Sequence, residues 1–237
     1  MIKTILFTVV AVLMFSGSAL HASEGTGESA LTQVRTTSPE LATALQDLKT
    51  ALHTPKTPLM FDNGAAASNC AEYSNLLTAH PPEESVRNAE IRAEYLVCDA
   101  IRLISNEPFL AKRHTLPANA AKALLERLDL RSFPSSLRNR TTDRSHTLKT
   151  LLVSGTVKTT QNSVEVETDE QFFSLQIAAV ISHPALAGNL KTRRSEWIVW
   201  VGDEMKDGNY KSYRTLIVRP PTPSSRGQYT GSMYPTE

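Results

Sequence analysis

The residues that usually announce an enzyme are scarce in this chain of 237 residues. No G-x-G-x-x-G and no P-loop occurs, so a nucleotide-binding α/β fold has no support. H-E-x-x-H is absent. The histidines beyond residue 22 (His53, His80, His114, His146 and His183) are scattered, and no two stand at i, i+4 spacing. G-x-S-x-G is missing too. Ser154 and Ser182 fall in predicted strands with no base in view, although a triad assembled from distant residues would leave no such trace. No cofactor or metal is implied.

Charge of one sign is also lacking. The first 22 residues carry one lysine and no acid, which leaves 24 basic against 24 acidic residues. That balance gives no basis for bulk attraction to nucleic acid or to an anionic membrane. Beyond residue 22 there is no long apolar run, so no membrane association is expected once the leader is removed.

The chain has only 2 cysteines, too few for a disulfide framework. Cys70 and Cys98 are far apart, unlike C-x-x-C, and have no histidine at ligand spacing. In an oxidising compartment such a pair is expected to form one structural bridge. By the chain-entropy model it contributes roughly 3–4 kcal/mol. Either thiol as a nucleophile would need a free thiolate there, which is unfavourable.

The N-terminus supplies the compartment. Lys3 is followed by an apolar run at 5–15 (ILFTVVAVLMF) and by the small residues Ser16, Gly17, Ser18 and Ala19. This reads as a secretory signal over residues 1–22, with cleavage near Ala22 or Ala19. Its brevity predicts export to a bacterial periplasm. No cysteine follows the run, so a lipid anchor is not expected.

Helical spacing dominates the next segment. Residues 23–38 are small and polar and read as a flexible leader. Residues 39–130 form a helical region. Ser38-Pro39-Glu40 opens its first helix, and Leu41, Leu45, Leu48 and Leu52 give the apolar face. A second helix is expected over 65–79 and a third from Glu83 to about Ile104, with a stripe of Val86, Ala89, Ala93, Val97, Ala100 and Ile104. A symmetric antiparallel hairpin of those two helices puts Cys98 too far from the turn to meet Cys70. The bridge therefore requires an asymmetric connection. Residues 131–147 are a basic connector. With Lys149, its Arg131, Arg138, Arg140 and Arg144 outnumber Asp129 and Asp143, which suits a solvated linker or a docking surface for an acidic partner.

From residue 148 the period changes to that of strands. Residues 148–219 are expected to hold an antiparallel meander of about five strands. One of them, at 163–168, alternates valine with acid and reads as half-exposed or edge. Glu165 and Glu167 lie roughly 6–7 Å apart on one face, a spacing a glycosidase pair could use, though a solvated strand face explains them more simply. The organising element is the hairpin at 195–218, which carries both tryptophans. By parity Trp197 goes with Val199 and Val201, and Trp200 with Ile198. The two indoles therefore face opposite ways and cannot form one stacking platform. Asp203…Asp207-Gly208 resembles part of a calcium loop, but Met205 and Arg214 stand where ligands are needed. Residues 220–237, rich in proline, serine and glycine, read as a disordered tail.

The expected architecture is α+β, an N-terminal helical half packed on a C-terminal, mostly antiparallel sheet. Two functions stay open. One is a non-enzymatic exported protein that binds another protein as an inhibitor, immunity or envelope accessory factor. The other is a small-molecule binder or hydrolase with a pocket between helices and a curved sheet. Phe172, Phe173, Trp197 or Trp200, Tyr210 and Tyr213 would line that pocket.

Overall fold

A computed structural model describes residues 32–105, 109–112, 116, 119–151, 155–183 and 195–235. The segment read as a secretory signal and most of that read as a flexible leader lie outside the described residues. In chain order the strands are β1 (Thr32–Thr36), β2 (Leu59–Met60), β3 (Ala66–Ala67), β4 (Phe109–Lys112), β5 (Leu128–Asp129), β6 (Thr156–Thr159), β7 (Ser163–Glu167), β8 (Gln171–Ser182), β9 (Ser195–Met205), β10 (Lys211–Arg219) and β11 (Tyr229–Tyr234). The helices are α1 (Pro39–Gln46), α2 (Leu48–His53), α3 (Cys70–Leu76), α4 (Val86–Arg92), α5 (Leu96–Ser105), α6 (Ala120–Arg127) and α7 (Leu148–Leu151).

The fold is α+β, but among the described residues the sheet has nine strands rather than about five. Its order is β4-β1-β8-β9-β10-β11-β5, and β7 and β6 continue from the other half of β8. The twelve residues of β8 explain how this works. Its first half pairs with β7 and its second half with β1, both on the same side, while β9 runs along the opposite side. Most pairings are antiparallel. The exceptions are β1 with β4 and β5 with β11.

Helices and strands are not segregated along the chain as the periodicity suggested. β1 comes from the stretch read as a flexible leader, and Leu148–Leu151 is helical rather than strand. The tail is not disordered over its described part: Tyr229–Tyr234 pairs with β10, giving Leu216↔Met233 and Val218↔Gly231. The segment read as half-exposed or edge, β7, is half-exposed but lies between β6 and β8, and β6 is the outer strand. Just before β6, Gly155 has φ +132, and a side chain there would meet the Glu167 carbonyl oxygen at 2.8 Å.

The hairpin holds as read, with β9 running on through Gly202 and Asp203 to Met205. Its parity divides the apolar residues into two cores. Ile198 and Trp200 pack with Leu41 of α1, Tyr73 of α3 and Ala100, Ile101 and Ile104 of α5. Trp197, Val199 and Val201 pack with Leu124 of α6, Leu128, Leu130, Phe133 and Leu148. A bulge at Ala178 keeps β8 in step: Ile177 faces the second core, Ala179 the first, and Val180 the second again. The second face of the hairpin is therefore covered by α6 and by the connector that follows it. Both indoles are buried, Trp197 at 7% and Trp200 at 8% exposure. A side chain buried this far contributes roughly 1.5–3 kcal/mol.

The disulfide joins Cys70 to Cys98, with Cα atoms 5.0 Å apart. The long helix expected over 83–104 is broken: α4 ends at Arg92, a 3-10 turn spans Ala93–Tyr95, and α5 begins at Leu96. Both cysteines thus stand in the first turn of a helix, α3 and α5, which removes the offset of a symmetric hairpin. Val86, expected in the apolar stripe, is 42% exposed, whereas Asn88 and Arg92 of the same helix are buried. Asn88 turns inward because its amide closes a backbone gap. Its Oδ1 accepts from Met60 N at 2.9 Å, and its Nδ2 donates to the Met60 and Glu83 carbonyls at 2.9 and 2.7 Å.

Candidate functional site

The basic connector crosses the Trp197 face of the sheet, and a cavity opens beneath it. The 3-10 turn Arg138–Arg140 and α7 form one wall. Val166 of β7 and Gln171 and Phe173 of β8 form the other. The volume is about 210 Å³. Leu137, Leu148, Leu151, Val166 and Phe173 make it apolar, and Arg140, Thr168, Asp169, Glu170 and Gln171 supply its polar lining. Arg140 and Glu170 pair across it at 3.2 Å, both well exposed, so that contact is weak and exchangeable.

One buried carboxylate anchors this wall. Asp203 is 2% exposed and sits inside β9. Its Oδ1 accepts from Ser136 Oγ at 2.6 Å and from Gln171 Nε2 at 2.9 Å, and its Oδ2 accepts from Ser136 N at 2.8 Å and Tyr210 OH at 3.3 Å. Gln171 Nε2 also reaches Ser136 Oγ. The carboxylate is satisfied on every side, and no histidine joins it. It pins the connector to the sheet and holds the Gln171 amide at the cavity wall. It is not arranged to activate Ser136 as a nucleophile. Half of the resemblance to a calcium loop is accounted for in this way, because Asp203 is turned inward. No group of three potential metal ligands exists among the described residues.

A second buried carboxylate lies on the other face. Asp99 is fully buried and accepts from Tyr73 OH at 2.7 Å, Arg92 Nη2 at 2.7 Å and Thr215 Oγ1 at 2.8 Å. Arg92 also lies over the Tyr73 ring, 5.0 Å from its centroid. Burial drives the Tyr73 phenol far above its usual range, and the neighbouring Asp99 adds to this. The Asp99 charge and hydrogen bond, opposed by burial, hold Arg92 protonated. This network joins α3, α4, α5 and β10 and has no solvent-facing group, which is the arrangement of a structural ion pair.

The residues singled out from the sequence are distributed as follows. Arg131 is held by Asp129 at 2.8 Å and Asp143 at 3.1 Å, and Lys149 by Glu126 at 2.7 Å. Arg140 pairs with Glu170, while Arg138 and Arg144 are exposed and make no ion pair among the described residues. The six aromatics proposed as a pocket lining do not converge. Phe173 lines the cavity. Trp197 is on the same face but packs against Tyr229, ring centroids 4.9 Å apart. Phe172, Trp200 and Tyr213 face the opposite way, since their register partners are Glu204, Thr215 and Gly202. Tyr210 is 43% exposed in the hairpin turn. Glu165 is half-buried on β7, and Glu167 pairs with Lys206 at 2.9 Å.

Sequence reasoning missed Ser136, Gln171 and Asp99. Asp99 had a visible signal, an acid inside the apolar run Leu96–Ile101. Ser136 and Gln171 had none. No family model matches the chain, and no curated protein or solved structure matches it.

Proposed function

We propose that the protein is an exported, non-enzymatic binding protein that seats one large apolar side chain of a protein partner in the cavity beneath Arg140 and Glu170. The observation that carries this reading is the cavity itself, about 210 Å³, apolar inside and charged at its rim. Pockets that enclose whole small molecules run about 300–1,000 Å³. This one suits a single anchor residue, and an anchor in a polar-rimmed pocket is how protein interfaces concentrate their binding energy. Arg138 and Arg144, exposed on the same connector as Arg140 and without ion-pair partners among the described residues, favour an acidic partner surface. Export is supported by the signal pattern over residues 1–22 and by a bridge of the kind that persists in oxidising compartments.

Immobilised wild type should capture a defined partner from a periplasmic extract. Leu151→Phe, which fills the cavity from its half-exposed wall, should lose it, as should the pair Arg138→Glu and Arg144→Glu, with thermal midpoints unchanged. Capture that all variants retain rejects this surface. A second reading, a small amphipathic ligand in the same cavity, rests on Gln171, whose Oε1 accepts from no described residue. If no protein is captured and butyrate shifts the Phe173 resonances in wild type but not in Leu151→Phe, the second reading replaces the first.

A further inference from the structure

At the end of the sheet opposite the hairpin turn, polar side chains replace apolar ones on the Trp197 face. Gln33, Ser182 and Ser195 form one row across β1, β8 and β9, since Gln33 is the register partner of Ser182 and Ser182 of Ser195. The next row inward is Arg35, Val180 and Trp197. Directly opposing residues share a face, so Arg35, Gln33 and both serines look the same way.

Among the described residues Arg35 has no carboxylate partner. Among the described residues its guanidinium makes one hydrogen bond, Nη2 donating to Ser182 Oγ at 3.1 Å, and Ser182 Oγ stands 3.3 Å from Ser195 Oγ. Its Nε is buried with no acceptor among the described residues. The carboxylate that is close in sequence, Glu196, is on the other face and holds Arg219 at 3.0 Å. On the far side, the backbone register partner of Arg35 in β4 is Lys112. An arginine remains charged at every relevant pH. A half-buried one with an unpaired donor, no acid, and hydroxyl and amide donors around it is an unfavourable arrangement on its own. An oxyanion relieves it, because carboxylates and phosphates accept from guanidinium and hydroxyl groups together.

We propose that Arg35, with Gln33, Ser182 and Ser195, seats a small oxyanion, the phosphate or carboxylate group of a ligand. The Arg35 guanidinium supplies the charge. The two hydroxyls and the Gln33 amide supply neutral donors, and rotation of the Ser182 hydroxyl away from Ser195 frees a proton for the anion. This site lies apart from the cavity beneath Arg140, and either can fail without the other.

Trp197 is the built-in reporter. Its Cα lies two strands from that of Arg35, roughly 10 Å away. Inorganic phosphate and N-acetylglycine, titrated separately into the full chain by calorimetry and tryptophan fluorescence, distinguish a phosphate from a terminal carboxylate. We expect saturable binding of at least one of them and a rise in thermal midpoint with it. Arg35→Gln should abolish both effects, Arg35→Lys should retain weaker binding, and Ser195→Ala should weaken binding about ten-fold. Arg35→Lys and Ser195→Ala keep the strand intact should Arg35→Gln fold poorly. The proposal is overturned if neither anion binds the wild type, or if binding is unchanged in Arg35→Lys and Ser195→Ala.

Discussion

Tyr73 and Asp99 meet beside the disulfide. Tyr73 follows Cys70 by three residues, Asp99 directly follows Cys98, and the phenol hydroxyl donates to Asp99 Oδ1 at 2.7 Å. The covalent bridge and the buried network therefore clip the same two helices, α3 and α5, at adjacent points, while Arg92 and Thr215 extend the clip to α4 and β10. Removing a member of the network and removing the bridge should have different signatures.

Asp99→Ala leaves Arg92 buried without a counter-charge and should cost about 3–5 kcal/mol. Tyr73→Phe removes one neutral donor and should cost about 1–2 kcal/mol. Chemical denaturation of both variants checks the order. A smaller loss for Asp99→Ala than for Tyr73→Phe contradicts a buried ion pair at the centre of this face.

Replacing both cysteines by serine opens a loop with a sequence separation of 28, and the expected loss is roughly 3–4 kcal/mol. Because the network remains, the double variant should still fold, with near-ultraviolet circular dichroism close to that of the wild type. Reduction that leaves the thermal midpoint in place would contradict a stabilising bridge.

Asp203→Ala should free the connector from the sheet. Ser136 N would lose its acceptor at 2.8 Å, so its amide should exchange much faster with solvent. The stability cost is about 2 kcal/mol. Protection at the Ser136 amide that equals the wild type would show that Asp203 does not hold the connector.

Two pH limits follow from named groups. Burial opposes ionisation of Asp129, but the hydrogen bonds of Arg131 outweigh it and hold its carboxyl below the usual range. A depressed carboxylate contributes stability above the unfolded value, near pH 4, and that contribution is lost as pH falls through the folded value. Asp129→Asn should therefore flatten the acid limb of the stability curve below about pH 4. Burial raises the Tyr95 phenol to about 12, with Glu94 adding to it. The unfolded chain ionises first, near pH 10, so stability should fall between about pH 10 and 12, and less so in Tyr95→Phe. Urea titrations across pH test both, and an unchanged limb in either variant removes that group.

Local rules made much of this chain legible. The hairpin strands and the opposite orientation of Trp197 and Trp200 follow from period two. The capping serine before Pro39 was legible too: Ser38 Oγ accepts from Leu41 N at 3.3 Å. The pairing of Cys70 with Cys98 followed from cysteine count and compartment. What lay outside reach was contact between distant segments. Asp99 and Thr215 are 116 residues apart and Ser136 and Asp203 are 67 apart, and no spacing rule connects them.

Sequence alone determined the strand parity of the hairpin and the start of the first helix, because each depends on neighbours a few residues away. It determined the single bridge because the chain has only 2 cysteines. The helices expected from 65 and from Glu83 instead begin at Cys70 and Val86. Tertiary structure alone decided what covers Trp197, that the tail adds a strand beside β10, and that Asn88 and Arg92 turn inward. Those outcomes depend on which backbone groups and charges would otherwise be buried without partners, and that balance exists only once the chain has folded.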